Sequence, residues 1–151
     1  MEDNKKYGSK ERLFEMMYRV NSKELLKESL LTTDIKNKII KEFISYCDKE
    51  LGLNGKLPEI TIIYKDGIAK KNKSFGGYYP YYKKIEVIGA NRNLADVLRS
   101  LAHELVHHKQ MLEDRINPDS GETGSDIENE ANSLAGIIMR DYGKINSDIY
   151  E

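Results

Sequence analysis

The sequence His103-Glu104-Leu105-Val106-His107 holds two of the three histidines in the chain, and the rest of the fold can be predicted outward from it. In an α-helix, residues four positions apart lie on the same face, one turn above the other. Two imidazole rings at this spacing can each direct a nitrogen atom at one point, as the histidine ligands of a zinc ion do. Glu104 lies close enough to that point to exchange a proton with a water molecule there without being a ligand. The stretch therefore predicts a metal site on a helix.

The residues before this stretch predict the helix that carries it. Asn93 is a typical N-cap residue, and Asp96 stands three residues later, where a capping box has a carboxylate or amide. Apolar residues then recur at helical spacing from Leu94 to Val106 and give the helix one broad hydrophobic face. We expect a helix of about five turns that begins after Asn93.

Further helices are predicted at both ends of the chain. Helical patterns occupy residues 9–21 and 22–30, and a longer helix opens at Thr32 or Thr33 and stops at Gly52. Ser125, with Glu128 at the capping-box position, predicts the start of a last helix that ends near Tyr142.

Three short strands are predicted between these helical regions. Residues 59–64 are rich in β-branched side chains, and residues 75–79 and 84–88 are expected to pair with each other in antiparallel fashion next to the first strand. Gly76 and Gly77 indicate a bulge or bend, or else backbone that a ligand approaches closely. The fold class is therefore α+β, with a small antiparallel or mixed sheet.

Length and charge limit the class of protein. A chain of 151 residues fits one domain with one core, and a net charge of −1 gives no overall attraction to nucleic acid or to an anionic membrane. No stretch reaches the ~20 apolar residues of a membrane span, and residues 1–10 lack the apolar run of a signal peptide. Cytoplasmic localisation is predicted, without a nucleic-acid or membrane partner. The single cysteine, Cys47, is expected to be a buried structural thiol.

A catalytic zinc site normally takes three protein ligands, so the two histidines need a third ligand from elsewhere. The carboxylates Asp126, Glu128 and Glu130 stand at the start of the last helix. Glu130 falls on the flank of the apolar face, where a carboxylate needs a partner, whereas Glu128 suits the capping box. Glu130 is therefore ranked first as the third ligand, Glu128 second and Glu122, in the preceding loop, third.

These motifs together resemble a known family. His-Glu-Leu-Val-His, followed by a helix that reads Glu-Asn-Glu-Ala-Asn-Ser-Leu-Ala from Glu128, is similar to the zincin metallopeptidases of the gluzincin type. Residues 74–78, Ser-Phe-Gly-Gly-Tyr, are similar to a segment of small zincin-like peptidases encoded by phages. The resemblance covers residues 58–142. The chain departs from larger gluzincins at Leu134, where they often have an aspartate that supports a zinc-bound histidine.

The resemblance implies a single zincin-like domain over residues 1–151, with a helical part at 1–52, a catalytic core at 58–142 and a tail at 144–151. It implies a zinc-dependent peptidase in which His103, His107 and Glu130 bind Zn²⁺ and Glu104 is the general base. A phage-encoded protein of this kind would be released by lysis. The expected partner is a peptide or protein substrate, and the oligomeric state is left open.

Substrate contacts follow from the same resemblance. An extended peptide is expected to add to the edge strand before the active-site helix, and the candidate contacts are Tyr78, Lys84, Ile85, Glu86, Val87 and Ile88. The oxyanion is expected to be stabilised by one of Tyr78, Tyr79, His108 and Tyr142.

Two alternatives to an active peptidase remain. The chain could be a catalytically idle zincin that serves as a binding or regulatory protein, although a binding module has no need of Glu104. It could also be a latent enzyme whose tail, residues 144–151, folds back over the metal through Asp148, Tyr150 or Glu151.

Overall fold

The computed structural model describes residues 33–65, 75–116 and 125–150. The helices predicted at residues 9–21 and 22–30, and the loop residue Glu122, lie outside these ranges. Spatial contacts divide the chain into a unit of residues 1–40 with Glu151 and a unit of residues Lys41–Tyr150. The packing of the described elements around α2 belongs to the second unit, and a single domain over residues 1–151 stays a prediction.

The described residues form three α-helices and three β-strands, which confirms the α+β class. In chain order they are α1 (Thr33–Leu51), β1 (Glu59–Ile63), β2 (Gly76–Tyr79), β3 (Lys84–Ile88), α2 (Leu94–Leu112) and α3 (Asp126–Ile145). Short 3₁₀ turns cover Pro80–Tyr82 and Ser147–Tyr150. None of the helices within these described ranges is long and apolar enough to cross a membrane.

Within the described residues, the predicted helix ends are confirmed except at the end of α3. Asn93 caps α2 through its side-chain oxygen, which accepts a hydrogen bond from the Asp96 backbone N–H at 2.9 Å. Ser125 caps α3 in the same way, and Gly52 follows α1 with a left-handed φ of +67°. Helix α3 continues to Ile145, past the predicted end at Tyr142, because Gly143 costs a helix only about 1 kcal/mol relative to alanine.

The sheet is mixed, with the strand order β1-β3-β2. Strand β3 pairs in parallel with β1 and in antiparallel fashion with β2, as the predicted pair required. Because β3 therefore has a neighbour on each side, the expectation that Lys84–Ile88 is an edge strand is wrong. Its backbone groups are already used within the sheet, and β2 is the edge strand that immediately precedes β3.

The bulge expected at Gly76 and Gly77 is also absent. Both glycines are in regular register, Gly76 opposite Val87 and Gly77 opposite Glu86. Glycine suits position 76 because the Glu104 side chain of α2 approaches this backbone closely.

Helix α2 is the centre of the described core, because it packs against α3 on one side and against β2 and β3 on the other. Burying a leucine side chain contributes about 1.5–3 kcal/mol, so the apolar face of α2 fixes the helix strongly in place. The side chains of this face with no exposed surface are those of Leu98, Leu101, Ala102, Leu105 and Val106.

Candidate metal centre

Three side chains from α2 and α3 converge on one point. Nε2 of His103 lies 2.8 Å from Oε1 of Glu128, and Nε2 of His107 lies 3.1 Å from Oε2 of the same carboxylate. The two Nε2 atoms are 3.2 Å apart. Ligand atoms around a tetrahedral zinc ion, at bonds of 2.0–2.1 Å, are about 3.3 Å from each other. The group of His103, His107 and Glu128 could therefore hold a metal ion with small adjustments of its side chains.

The two helices bring these residues together because they run in opposite directions. His103 contacts Asn132, His107 contacts Glu128, and Gln110 contacts Ile127, so that residue numbers rise along α2 as they fall along α3. Glu128 sits in the first turn of α3, where Ser125 accepts a hydrogen bond from its backbone N–H at 3.1 Å. The cap fixes the backbone of Glu128 and leaves its carboxylate for the two histidines.

Glu130, ranked first as the third ligand, is not at this point. Its Oε1 accepts hydrogen bonds from Gln110 Nε2 at 2.8 Å and from Arg115 Nη1 at 2.9 Å. Glu128, the second-ranked residue, takes the place predicted for Glu130. The geometry favours Glu128 over Glu130: Glu130 was ranked first for its place on the flank of the apolar face of α3, whereas the helix meets the two histidines through the polar side of its first turn.

The three side chains keep a path to solvent. The exposed fractions of the side chains are 18% for His103, 11% for His107 and 22% for Glu128. Burial lowers the pKa of His103, against the opposing effect of the Glu128 carboxylate. Burial favours the neutral imidazole, which is the form that binds a metal ion.

Glu104 is more buried than the ligand group, with 8% of its surface exposed. Burial raises the pKa of Glu104 to about 8, and the negative charge of Glu128 adds to the effect. In the chain without metal, this carboxyl group can therefore hold or release a proton close to neutral pH. Its side chain faces the first residue of β2, Gly76.

His108 belongs to a different network from its neighbour His107. Its Nε2 is 2.8 Å from the carbonyl oxygen of Lys56, which can only accept, so Nε2 carries the proton. Its Nδ1 then accepts a hydrogen bond from the Tyr78 hydroxyl at 2.8 Å. Both nitrogens are thus used in tying α2 to β2 and to the loop after α1, and neither is left to stabilise an oxyanion.

The Tyr78 hydroxyl is occupied by the same network. Its ring packs edge-on to His108, with ring centroids 5.5 Å apart, and burial raises the pKa of Tyr78 to about 12. Tyr78 therefore points into the fold from β2 rather than outward to a substrate.

Tyr142, another oxyanion candidate, is far from the metal centre. It lies fourteen residues after Glu128 on the same helix, which is about 21 Å at 1.5 Å per residue. Its ring packs against those of Phe43 and Tyr46, with centroids 5.0 and 5.1 Å away. It is a buried residue near the C-terminal end of α3.

The tail also lies at that end. Ile149 is buried, and the Tyr150 hydroxyl donates to the carbonyl oxygen of Met139 at 3.4 Å. Met139 is eleven residues, or about 16 Å, along α3 from Glu128. The described tail residues Asp148 and Tyr150 thus lie near the end of α3 that is far from the metal centre, and Glu151 lies outside the described residues.

Two amide side chains that the sequence analysis did not select support the histidines. Asn132 forms a side-chain hydrogen bond with His103, and Gln110 lies 2.8 Å from Nδ1 of His107. The available signal for Gln110 was its spacing, because a residue three positions after His107 shares its helix face. For Asn132 the signal was its place one turn after Glu128.

The tyrosines of β2 and of the 3₁₀ turn that follows it do not all lie on one side of the sheet. Tyr79 and Tyr82 line a surface cleft of about 510 Å³ with Glu59, Lys84 and Glu86. Lys84 and Glu86 form an ion pair there at 3.3 Å, while Ile85 and Val87, between and beyond them, are buried on the other face. The candidate contacts of β3 are thus split, and only Lys84 and Glu86 reach this cleft.

Comparison with protein-family models, with curated proteins and with solved structures finds no match to this chain. The functional interpretation therefore rests on the geometry of the site.

Proposed function

We propose that this protein is a zinc-dependent peptidase in which His103, His107 and Glu128 bind the metal and Glu104 is the general base. The observation that carries the proposal is the meeting of two imidazole nitrogens and a carboxylate within 2.8–3.2 Å, beside a buried carboxyl group on the same helix. Two nitrogen ligands and one oxygen ligand form the set typical of catalytic zinc sites with a fourth position for water or substrate.

A bound zinc ion would polarise the carbonyl of a scissile amide and lower the pKa of a water molecule. Glu104 then takes a proton from the attacking water on its carboxylate and delivers it to the leaving amine. The burial of this carboxyl group supports the role, because a site with little water keeps the transferred proton from escaping to solvent. His103, His107 and Glu128 supply binding and take no part in the proton transfer.

The edge of β2 is the place we propose for the peptide substrate. Within the described residues, β2 is an outer strand of the sheet, and an extended peptide can bind alongside such a strand. Gly76, the first residue of β2, faces Glu104, and the strand thus passes the proposed base. This edge replaces the one predicted on β3. The cleft beside Tyr79 then lies at the far end of β2, where it can receive a substrate side chain.

The variant Glu104→Gln tests the proposal, because it removes the base and keeps every ligand. We expect about one zinc per chain in both the natural protein and the variant, measured by elemental analysis after purification without chelator. Hydrolysis of a mixture of synthetic peptides should fall by about 10²- to 10⁴-fold in the variant. Equal cleavage by both proteins would show that another residue is the base.

The idle-zincin alternative makes a different prediction in the same experiment. A binding or regulatory protein would hold zinc and retain peptides without cleaving them, whether or not Glu104 is intact. Protein that purifies without metal, and gains no stability from added zinc, would contradict both functions. The latent-enzyme alternative receives no support from Asp148 and Tyr150, because both lie at the opposite end of α3.

A further inference from the structure

Gln110 is a fully buried polar side chain whose contacts centre on the metal site. It has no exposed surface, and its Oε1 lies 2.8 Å from Nδ1 of His107. Its Nε2 donates to the carbonyl oxygen of Ile127 at 3.0 Å and to Oε1 of Glu130 at 2.8 Å. An amide in the core is costly unless its polar atoms are paired, and here both ends of the amide have partners.

These partners allow only one orientation of the amide. The carbonyl oxygen of Ile127 and the carboxylate of Glu130 are acceptors, so the NH₂ group must face them. The reversed amide would place its oxygen against two acceptors and lose both hydrogen bonds. Oε1 therefore faces His107, and Nδ1 of His107 must supply the proton because an amide oxygen only accepts.

The position of this proton decides which ring nitrogen of His107 has a lone pair available to a metal ion. A neutral imidazole carries one proton, so Nε2 has a free lone pair when Nδ1 is protonated. It is Nε2 that lies 3.2 Å from Nε2 of His103 and 3.1 Å from Glu128. The contact with Gln110 thus selects the tautomer of His107 that can bind a metal ion with these two residues.

We propose that Gln110 is a positioning residue of the metal centre, holding the proton of His107 on Nδ1, and that Glu130 holds Gln110 in the required orientation. The carboxylate of Glu130 is itself fixed by Arg115, whose Nη1 lies 2.9 Å from it. The proposal rests on the proposed metal centre, but the tautomer of His107 can be measured without metal.

The experiment records the long-range ¹H–¹⁵N spectrum of the imidazole rings in metal-free protein, together with zinc affinity by competition with a chelator. In the natural sequence we expect the proton of His107 on Nδ1. In Gln110→Leu, which keeps the bulk and removes both hydrogen-bonding ends, the proton should redistribute to Nε2, and zinc should bind about 10- to 100-fold more weakly. The double variant Gln110→Glu with Glu130→Gln loses the hydrogen bond to Ile127 but keeps an acceptor opposite Nδ1, and we expect it to retain the Nδ1 proton.

A matched pair of variants tests the part played by Glu130. Both Glu113 and Glu130 contact Arg115, at 3.2 and 2.9 Å, but only Glu130 also contacts Gln110. Glu130→Ala should weaken zinc binding, by less than Gln110→Leu because Ile127 still accepts from the amide. Glu113→Ala should leave zinc binding unchanged. Equal effects of the two alanine variants would overturn the role of Glu130.

The spectrum separates failure of this proposal from failure of the proposed function. A His107 ring without a proton on Nδ1 in the natural sequence overturns the role of Gln110, whatever the protein catalyses. A proton on Nδ1 in a protein that binds zinc without cleaving peptides supports Gln110 and contradicts the peptidase. Thermal unfolding of each metal-free variant shows whether a weaker zinc affinity comes from a change at the metal site or from a general loss of stability. If Gln110→Leu does not fold, the spectra of the natural protein and the double variant still decide the question.

Discussion

Gly76 and Glu104 approach each other so closely that a Cβ atom at Gly76 would lie 3.3 Å from Oε2 of Glu104. This is tighter than nine in ten contacts of real Cβ atoms, and the same atom would meet Cγ of Glu104 at 3.5 Å. The first residue of the edge strand thus leaves room for the carboxyl group that we propose as the base.

Replacing Gly76 should therefore disturb Glu104 and spare the metal. In Gly76→Ala the carboxylate must move by a few tenths of an ångström, and we expect peptide hydrolysis to fall about tenfold with zinc content unchanged. Gly77→Ala is the control, because its Cβ would meet the Tyr79 hydroxyl at an ordinary 3.5 Å. Equal losses in both variants would mean that the strand, and not the contact with Glu104, is responsible.

The choice of third ligand can be tested by two matched substitutions on α3. Glu128→Gln removes a charged oxygen ligand 2.8–3.1 Å from both histidines, and we expect zinc affinity to fall by more than about 100-fold. Glu130→Gln keeps an oxygen that can accept from Gln110, so its effect should be clearly smaller. Chelator competition measures both, and the reverse order would restore Glu130 as the ligand.

Tyr142 should matter for stability and not for chemistry. Tyr142→Ala removes a ring that packs against Phe43 and Tyr46. We expect the free energy of unfolding, measured in urea, to fall by about 3–5 kcal/mol. Tyr142→Phe keeps the ring and loses the side-chain hydrogen bond with Asn146, so the free energy of unfolding should fall by only about 0.5–1.5 kcal/mol. Hydrolysis per folded Tyr142→Phe molecule should equal that of the natural protein. A large loss would return Tyr142 to the list of oxyanion candidates.

Cys47, which is not part of the metal centre, is expected to make the stability of the fold depend on pH. Its thiol has no exposed surface, and burial raises the pKa of Cys47 far above its ordinary value. The folded protein then keeps the thiol proton while the unfolded chain loses it above pH ~8.5. The stability from this group is complete below that pH and declines as the pH rises further.

The measurement compares the natural protein with Cys47→Ala in urea at two pH values. Between pH ~7.5 and ~9.5, the stability advantage of the natural protein should shrink by about 1.4 kcal/mol. In the folded protein, a thiol reagent at pH ~8 should react with Cys47 only on unfolding, since the buried thiol resists ionisation. Rapid modification of the folded protein would contradict the burial of this side chain.

Local patterns in the sequence were enough to predict the elements of the fold that the structure describes. The caps at Asn93 and Ser125, the stop at Gly52 and the antiparallel pair of β2 and β3 are all confirmed, because each depends on residues close together in the chain. The pairing of His103 with His107 belongs to the same class. Helix geometry alone places residues four apart on one face.

Contacts between elements were less predictable, as Glu128 and Glu130 illustrate. A helical wheel places both residues relative to the apolar face of their own helix, but it does not contain the neighbouring helix. The orientation of α3 and its position along α2 determine that Glu128 contacts the histidines and that Glu130 contacts Arg115. Strand order has the same origin, since the parallel pairing of β1 with β3 joins residues 25 apart, such as Glu59 and Lys84.

The sequence by itself determined the helix with two histidines on one face, the carboxyl group beside them and the α+β class of the chain. Those features follow from spacing, capping and side-chain type within short segments. Tertiary structure alone decided that Glu128 completes the group, that Gln110 supports His107 and that β2 forms the edge beside Glu104. Each of these depends on how separate elements pack, and packing is set by the shape of the whole core rather than by any one segment.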